Sequence, residues 1–380
     1  MPLPHQFAAL RQVTTQRIEA RLDEAVVREL DGWRAARKPP PSRSEAVRLL
    51  LEETLCRGRL VEGHSATLRV YPEATRLAAL YALERVAGFG PAKFRALHDA
   101  GIEPAGALES PDLLPFKGRI GDKLRDGIGS LSLADLEAAR SRAADQVKRA
   151  RSIGASIVTH GDPCYPERVY ASNNPVPVLY VRGDPSIWSG GAAVAVVGSR
   201  KTREPYAEAA RAFAALAARS GVLVASGFAL GADSIGHEAA VDAGGGTVCV
   251  MPCGLDKVFP PENRALWERL LAHPKAVFVS EFGFGRRTSS LLLRKRNKLI
   301  VAFAQGVLVA QSAANGGAMN AYRFAREQRK PVAAFVHDES EETTGNAVIE
   351  NDARTGGFGL ASTCEESEYE AWLRTLCSWI

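Results

Sequence analysis

Five short apolar runs constrain this chain more than any other feature. They are AVAVVGSR (Ala193–Arg200), VLVASG (Val222–Gly227), TVCVMPCG (Thr247–Gly254), AVFVSEF (Ala276–Phe282) and GVLVAQS (Gly306–Ser312). Each closes on or beside Gly, Ser or another polar residue and is followed by a helix-length segment. Strands that read as continuous Val/Ala/Leu runs are buried on both faces, which predicts a mostly parallel sheet with helices on both sides. The expected class is therefore α/β, doubly wound. Ligands of such sheets bind beyond the carboxyl ends of the strands, where these polar turns lie.

At 380 residues the chain is long for one core and suggests two or three domains. An apolar share of 46% beside 24% charged residues is ordinary for a soluble protein, so composition excludes fibrous and disordered classes. No run approaches membrane-span length and the first residues lack a signal-peptide core, so a cytoplasmic protein without a membrane partner is expected. A net charge of +5 is mild, and any nucleic-acid argument has to rest on where the basic residues cluster. The six cysteines are scattered, with no CxxC pair and no His at zinc spacing, so neither a metal nor a cofactor is expected.

Residues 1–70 read as a small module. Arg17 to Leu22 alternates polar and apolar as a half-buried strand does, Asp23 can cap a helix reaching about Ala36, and SRSEAVRLLL opens a second helix. The pattern resembles the ribbon-helix-helix family, whose strands pair across a dimer. That resemblance implies duplex DNA as a partner, with Arg17, Glu19 and Arg21 toward base edges and Ser42 and Arg43 on a phosphate. The same pattern also fits a dimerisation arm without DNA contact. Either way, a homodimer or higher oligomer is expected.

Residues 71–150 form the next segment. A helix pattern over Leu77–Val86, the turn Gly88-Phe89-Gly90-Pro91 and a second helix over Ala92–Asp99 resemble a helix-hairpin-helix, whose loop amides contact a phosphate without reading sequence. A plain glycine-turned αα-hairpin fits the pattern as well. Leu131–Ala150 is expected as a solvent-faced helix leading into residues 151–365, the sheet domain, with residues 366–380 as a tail.

In the sheet domain, Gly198, Ser199 and Arg200 are expected at the head of a helix, where amides, dipole and guanidinium converge on an anion. After the second run, Ser226, Gly227 and Gly231 are expected to let backbone approach a ligand, and Asp233 to cap the helix holding His237. Arg286–Lys298 (RRTSSLLLRKRNK) carries six Lys/Arg and no acid, a stretch suited on a surface helix to tracking phosphates through Arg294, Arg296, Asn297 and Lys298. A second glycine-rich cradle follows the last run at Gly316, Gly317 and Asn320.

Taken in order, DPCYP, VAVVGSR, ASGFALGADSIGH, CGLDKVFPPEN, VSEFGFG, RKRNKLI, NGGAMNA and GNAVI resemble the DprA/Smf family of DNA-processing proteins, across Asp162–Ile349. The resemblance implies a Rossmann-like sheet that holds single-stranded DNA and hands it to a recombinase, with the residues just named lining a phosphate pocket. Some positions depart from the family pattern. Leu230 stands where the family has Arg before Gly-Ile/Val-Asp, Leu293-Arg294 replace a Phe-Pro that could stack on a base, and Lys298 replaces a second Arg. A related group of nucleotide hydrolases carries PGGxGTxxE. Here Asn320 and Arg323 occupy the Thr and Glu positions, so the carboxylate needed at a developing oxocarbenium is missing and no enzymatic activity is expected. A regulator that senses a nucleotide in the same pocket is the alternative function.

Overall fold

The computed structural model describes Val70, Pro72 and residues 74–377, apart from 174, 356, 357 and 364. Arg17, Arg21, Ser42 and Arg43, with the module expected around them, lie outside the described residues. Residues 66–380 make up one compact unit.

Its first part is helical: α1 (Ala74–Leu83), α2 (Pro91–Asp99), α3 (Pro104–Glu109), α4 (Gly118–Gly129) and α5 (Leu133–Ser152). Pro91 at the first position of α2 has no amide to leave unpaired. The Ser132 hydroxyl and the Asp135 carboxylate cap the start of α5 reciprocally. Ala139, Ala143, Gln146 and Ala150 form a buried stripe at helical spacing along α5, and the small alanines let the apolar α1 lie close against it. One face of α5 is thus core, where the sequence suggested a solvent-faced helix.

The second part runs β1 (Ser156–Thr159), α6 (Glu167–Ala171), β2 (Val178–Gly183), β3 (Ala193–Val197), α7 (Tyr206–Arg219), β4 (Leu223–Ser226), α8 (Ala232–Asp242), β5 (Thr247–Val250), α9 (Arg264–Leu271), β6 (Ala276–Ser280), α10 (Ser290–Phe303), β7 (Gly306–Val309), α11 (Met319–Glu327), β8 (Val332–Phe335), α12 (Thr344–Glu350), β9 (Phe358–Leu360) and α13 (Glu366–Cys377). The strands form one sheet in the order β1-β2-β6-β5-β4-β3-β7-β8-β9. From β6 to β9 every neighbouring pair is parallel, while β1 and β2 join antiparallel at one edge. The mostly parallel, doubly wound sheet expected from the five apolar runs is the one observed.

Alternation within strands assigns the two faces. Ala193, Ala195 and Val197 of β3 face the same core as Leu299 and Ile300 of α10, whereas Val194 and Val196 face Phe213 of α7 and Ala240 of α8. Farther along that second face, Cys249 of β5 and Phe278 of β6 share a core with Leu77 and Leu83 of α1 and Trp267 of α9. Burial on both sides is why these strands could be apolar throughout. The helical segment therefore does not stand apart from the sheet; it serves as one of its covering layers. At the other end, Tyr369 and Trp372 of α13 pack on Phe213, so the stretch expected as a tail includes a docked helix.

Candidate nucleic-acid interface

The chain winds outward from β3 through β4, β5 and β6, then crosses back to place β7 on the other side of β3. That reversal opens a crevice beyond the carboxyl ends of β3 and β7, the switch point at which doubly wound sheets bind ligands. A cavity of about 470 Å³ lies there. Its walls come from the turn after β3 (Gly198, Ser199, Arg200), the loop after β7 (Ser312, Gly316, Gly317) and one face of α10 (Ser290, Leu293, Arg294, Asn297). The α10 residues recur at the spacing of a single helix face.

Several polar side chains fix the two loops. Ala310 N–H donates to Val197 O at 2.8 Å and Ser199 N–H to Gln311 O at 2.8 Å, while the Gln311 side-chain oxygen accepts from Arg203 N at 2.9 Å. Buried Asn346 accepts from Ser312 N at 2.9 Å and donates to Ala310 O and Phe335 O at 3.1 and 2.8 Å. Gln311 and Asn346 thus hold the cavity's backbone without lining it. Both lie in or beside the matched motifs, where a polar residue inside an apolar context was the only clue to them.

The loop between β4 and α8 is clamped in the same manner. Asn263 donates to Phe228 O at 2.9 Å and Asp233 accepts from Ala229 N at 3.2 Å. The Arg296 guanidinium lies on Gly227, where a Cβ would fall 1.3 Å from its Nη1. Gly231 has φ +73°, and a Cβ there would sit 2.2 Å from Ser199 O, so only glycine lets α8 start against the first turn.

These contacts correct several expectations. Gly198, Ser199, Arg200, Arg294, Arg296, Asn297, Gly316, Gly317 and Asn320 line the cavity, but Ser226, Gly227, Gly231 and Lys298 do not. Ser226 is buried and donates to Val196 O at 2.5 Å. Gly227 and Gly231 admit protein atoms, not ligand atoms. Lys298 turns to the Phe324 ring, 5.2 Å from its centroid. Ser199 and Arg200 are not at a helix head either, since α7 begins only at Tyr206. Gly231, not Asp233, is the N-cap residue of α8. Glu342, which no sequence pattern singled out, reaches the rim from the segment after β8.

Arg296 is the largest correction. Its residue is only 5% exposed, and Nη1 donates to Val250 O at 3.2 Å and faces the Asp233 carboxylate at 3.8 Å. Burial pushes the Asp233 carboxyl up while the Arg296 charge draws it down, and burial holds Arg296 below its ordinary value. The pair forms the floor of the cavity. Arg200 and Arg294, both exposed, carry the charge at its mouth, opposed by Glu342. Gly317 and Ala318 N–H find no acceptor among the described residues and add donors at the start of α11. His237, beneath the floor, is fully buried against Thr247 Oγ1 at 2.6 Å, and burial lowers its pKa to about 3. It stays neutral and structural.

The profile described as DNA recombination-mediator protein A matches residues 156–357, more than half of the chain. The chain belongs to this family. The matched segment runs from β1 to the residues just before β9. Protein Smf of Synechocystis is 30% identical over 46% of this chain and 44% of its own length. The chain spans about half the length of the curated relatives it matches. In fold it is similar to DNA processing protein A of Streptococcus pneumoniae, with a TM-score of 0.58 and 20% identity over 77% of this chain and 97% of that one. A structure of DNA processing protein A from Helicobacter pylori aligns with a TM-score of 0.50 and 21% identity over 58% and 96% of the two chains. No helix among the described residues is long and apolar enough to cross a membrane.

Proposed function

We propose that this recombination-mediator protein binds single-stranded DNA by its phosphates in the switch-point cavity and performs no chemistry on it. The observation that carries this reading is the pairing of two exposed guanidiniums, Arg200 and Arg294, with the Gly317 and Ala318 amides around one crevice. A planar guanidinium meets a phosphate with two parallel hydrogen bonds, and free backbone amides add donors that carry no base preference. The buried Arg296–Asp233 pair keeps the floor polar without adding net charge. The Helicobacter pylori protein, whose fold this chain shares, binds single-stranded DNA, which supports the same ligand class here. The family description, a recombination mediator, supports a recombinase as the recipient of the bound strand. Assembly as a homodimer or higher oligomer, and duplex contact through residues 1–70, belong to the same proposal.

The test is binding of a single-stranded oligonucleotide to the full chain across a range of salt concentrations. Wild type should bind with a negative slope of log K on log salt. Replacing Arg200→Ala and Arg294→Ala together should weaken binding at least about ten-fold and flatten that slope by about 1.4, two contacts at about 0.7 each. Unchanged affinity and slope in the double variant would sink the reading.

A further inference from the structure

The basic run Arg286–Lys298 is only partly used by the switch-point cavity. Arg294 lines that cavity, Arg296 is buried in its floor and Lys298 turns to the Phe324 ring. Arg286 and Arg287, in the turn that leads into α10, and Lys295, on the helix itself, are exposed. Among the described residues, none of these three side chains makes a hydrogen bond or an ion pair. Unpaired cations crowded into one stretch repel one another, and a row of phosphates relieves all of them together.

An apolar side chain stands in water beside them. Leu291, in the first turn of α10, is 67% exposed. Arg294 and Lys295 follow it at three and four residues, so they share its side of the helix. A lone exposed leucine is ordinary. Set among cations, it matches a nucleic-acid strand, whose phosphates alternate with the apolar faces of sugars and bases. The acids nearby do not cancel the charge. α10 carries none. Glu84 and Glu281 feel Lys295 from the opening where the helical segment meets the sheet, but Arg142 already pairs with Glu84 at 3.1 Å, and burial favours the neutral form of Glu281.

The patch begins where the phosphate cavity ends. Arg294 and Lys295 are consecutive, the first lining the cavity and the second standing with Arg286 at the opening beyond the helix. The helix is about 10 Å across, a width that a few nucleotides span. A strand leaving the cavity past Arg294 therefore meets this surface next.

We propose that the outer side of the first turns of α10, with the turn before it, is a second stretch of single-strand-binding surface. Arg286 and Lys295 hold further phosphates of the strand that leaves the switch-point cavity, and Leu291 supports a sugar or base between them. The inference rests on the phosphate-binding reading above.

Its test measures two lengths of oligo(dT) on the full chain across salt concentrations. A strand of about six nucleotides fills one single-strand site, and one of about twenty runs past it. Arg286→Ala combined with Lys295→Ala should weaken the long oligomer at least about ten-fold and flatten its slope of log K on log salt by about 1.4. The short oligomer should stay within about two-fold of wild type. Leu291→Ala should weaken the long oligomer about five-fold with its slope unchanged, because it removes apolar contact and no charge. All three positions are exposed, so the variants should unfold at the wild-type Tm. An unchanged slope for the long oligomer in the double variant overturns the second stretch. So does equal weakening of both lengths, or wild-type affinity in Leu291→Ala. In each of these cases salt-dependent binding that needs Arg200 and Arg294 leaves the phosphate reading standing. Failure of wild type to bind either length removes that reading itself, and the second stretch with it.

Discussion

The two cavities flanking α10 are built from different materials. The switch-point cavity is lined by glycines, small polar residues and two exposed arginines, over a buried Arg296–Asp233 pair. The second, a junction cavity of about 700 Å³ where the helical segment meets the sheet on the other side of α10, has buried rings behind its walls and the Arg142–Glu84 ion pair at its rim. Charge is costly in one of them and not in the other. In the first, the floor pair is almost wholly out of water, so each charge depends on the other. In the second, Arg142 and Glu84 are both substantially exposed, so water screens their attraction and can replace either partner.

Three substitutions test that contrast, and the strongest response is expected at the floor. Asp233→Ala leaves Arg296 buried and unpaired, and should destabilise the fold by about 3–5 kcal/mol in denaturant titrations. A loss below about 1 kcal/mol would show that the floor is wetter than its burial indicates. Next comes His237, read against His237→Gln so that the carboxylates cancel. Its folded pKa of about 3 lies below the unfolded value of about 6.5, so the stability it carries is fully present above pH 6.5. That stability drains as pH falls toward 3, by about 1.4 kcal/mol per unit. Thermal unfolding of both proteins between neutral and mildly acid pH should therefore show the wild type losing ground. Parallel curves would mean that the imidazole titrates in the fold as it does in the unfolded chain. The smallest effect is expected at the junction rim, where Glu84→Gln should change stability by less than about 1 kcal/mol in the same denaturant assay. A larger loss there would erase the contrast.

Much of the fold was legible because a parallel sheet writes itself into the sequence. A strand covered on both faces has no polar position, so β3 to β7 read as runs without alternation. The turns at their carboxyl ends pointed to Gly198, Ser199, Arg200, Gly316, Gly317 and Asn320, and all of these line one cavity. The edge strands were not read. β9 is only three residues long and half exposed, too short to carry a period.

Local apolar pattern and turn chemistry suffice to specify the sheet, its direction and the edge on which ligands gather. The duty of each residue in the basic run comes instead from the packing around it. Arg294, Lys295 and Arg296 are consecutive and chemically alike, yet one faces the first cavity, one faces the second and one is buried on Gly227. The reason is the 100° step between neighbours on a helix: what packs around α10 sends adjacent side chains to different surroundings. The same holds for Gly227 and Gly231, whose missing side chains make room for Arg296 and for the Ser199 carbonyl. A sequence can show that a glycine is needed; only the fold shows what stands in its place.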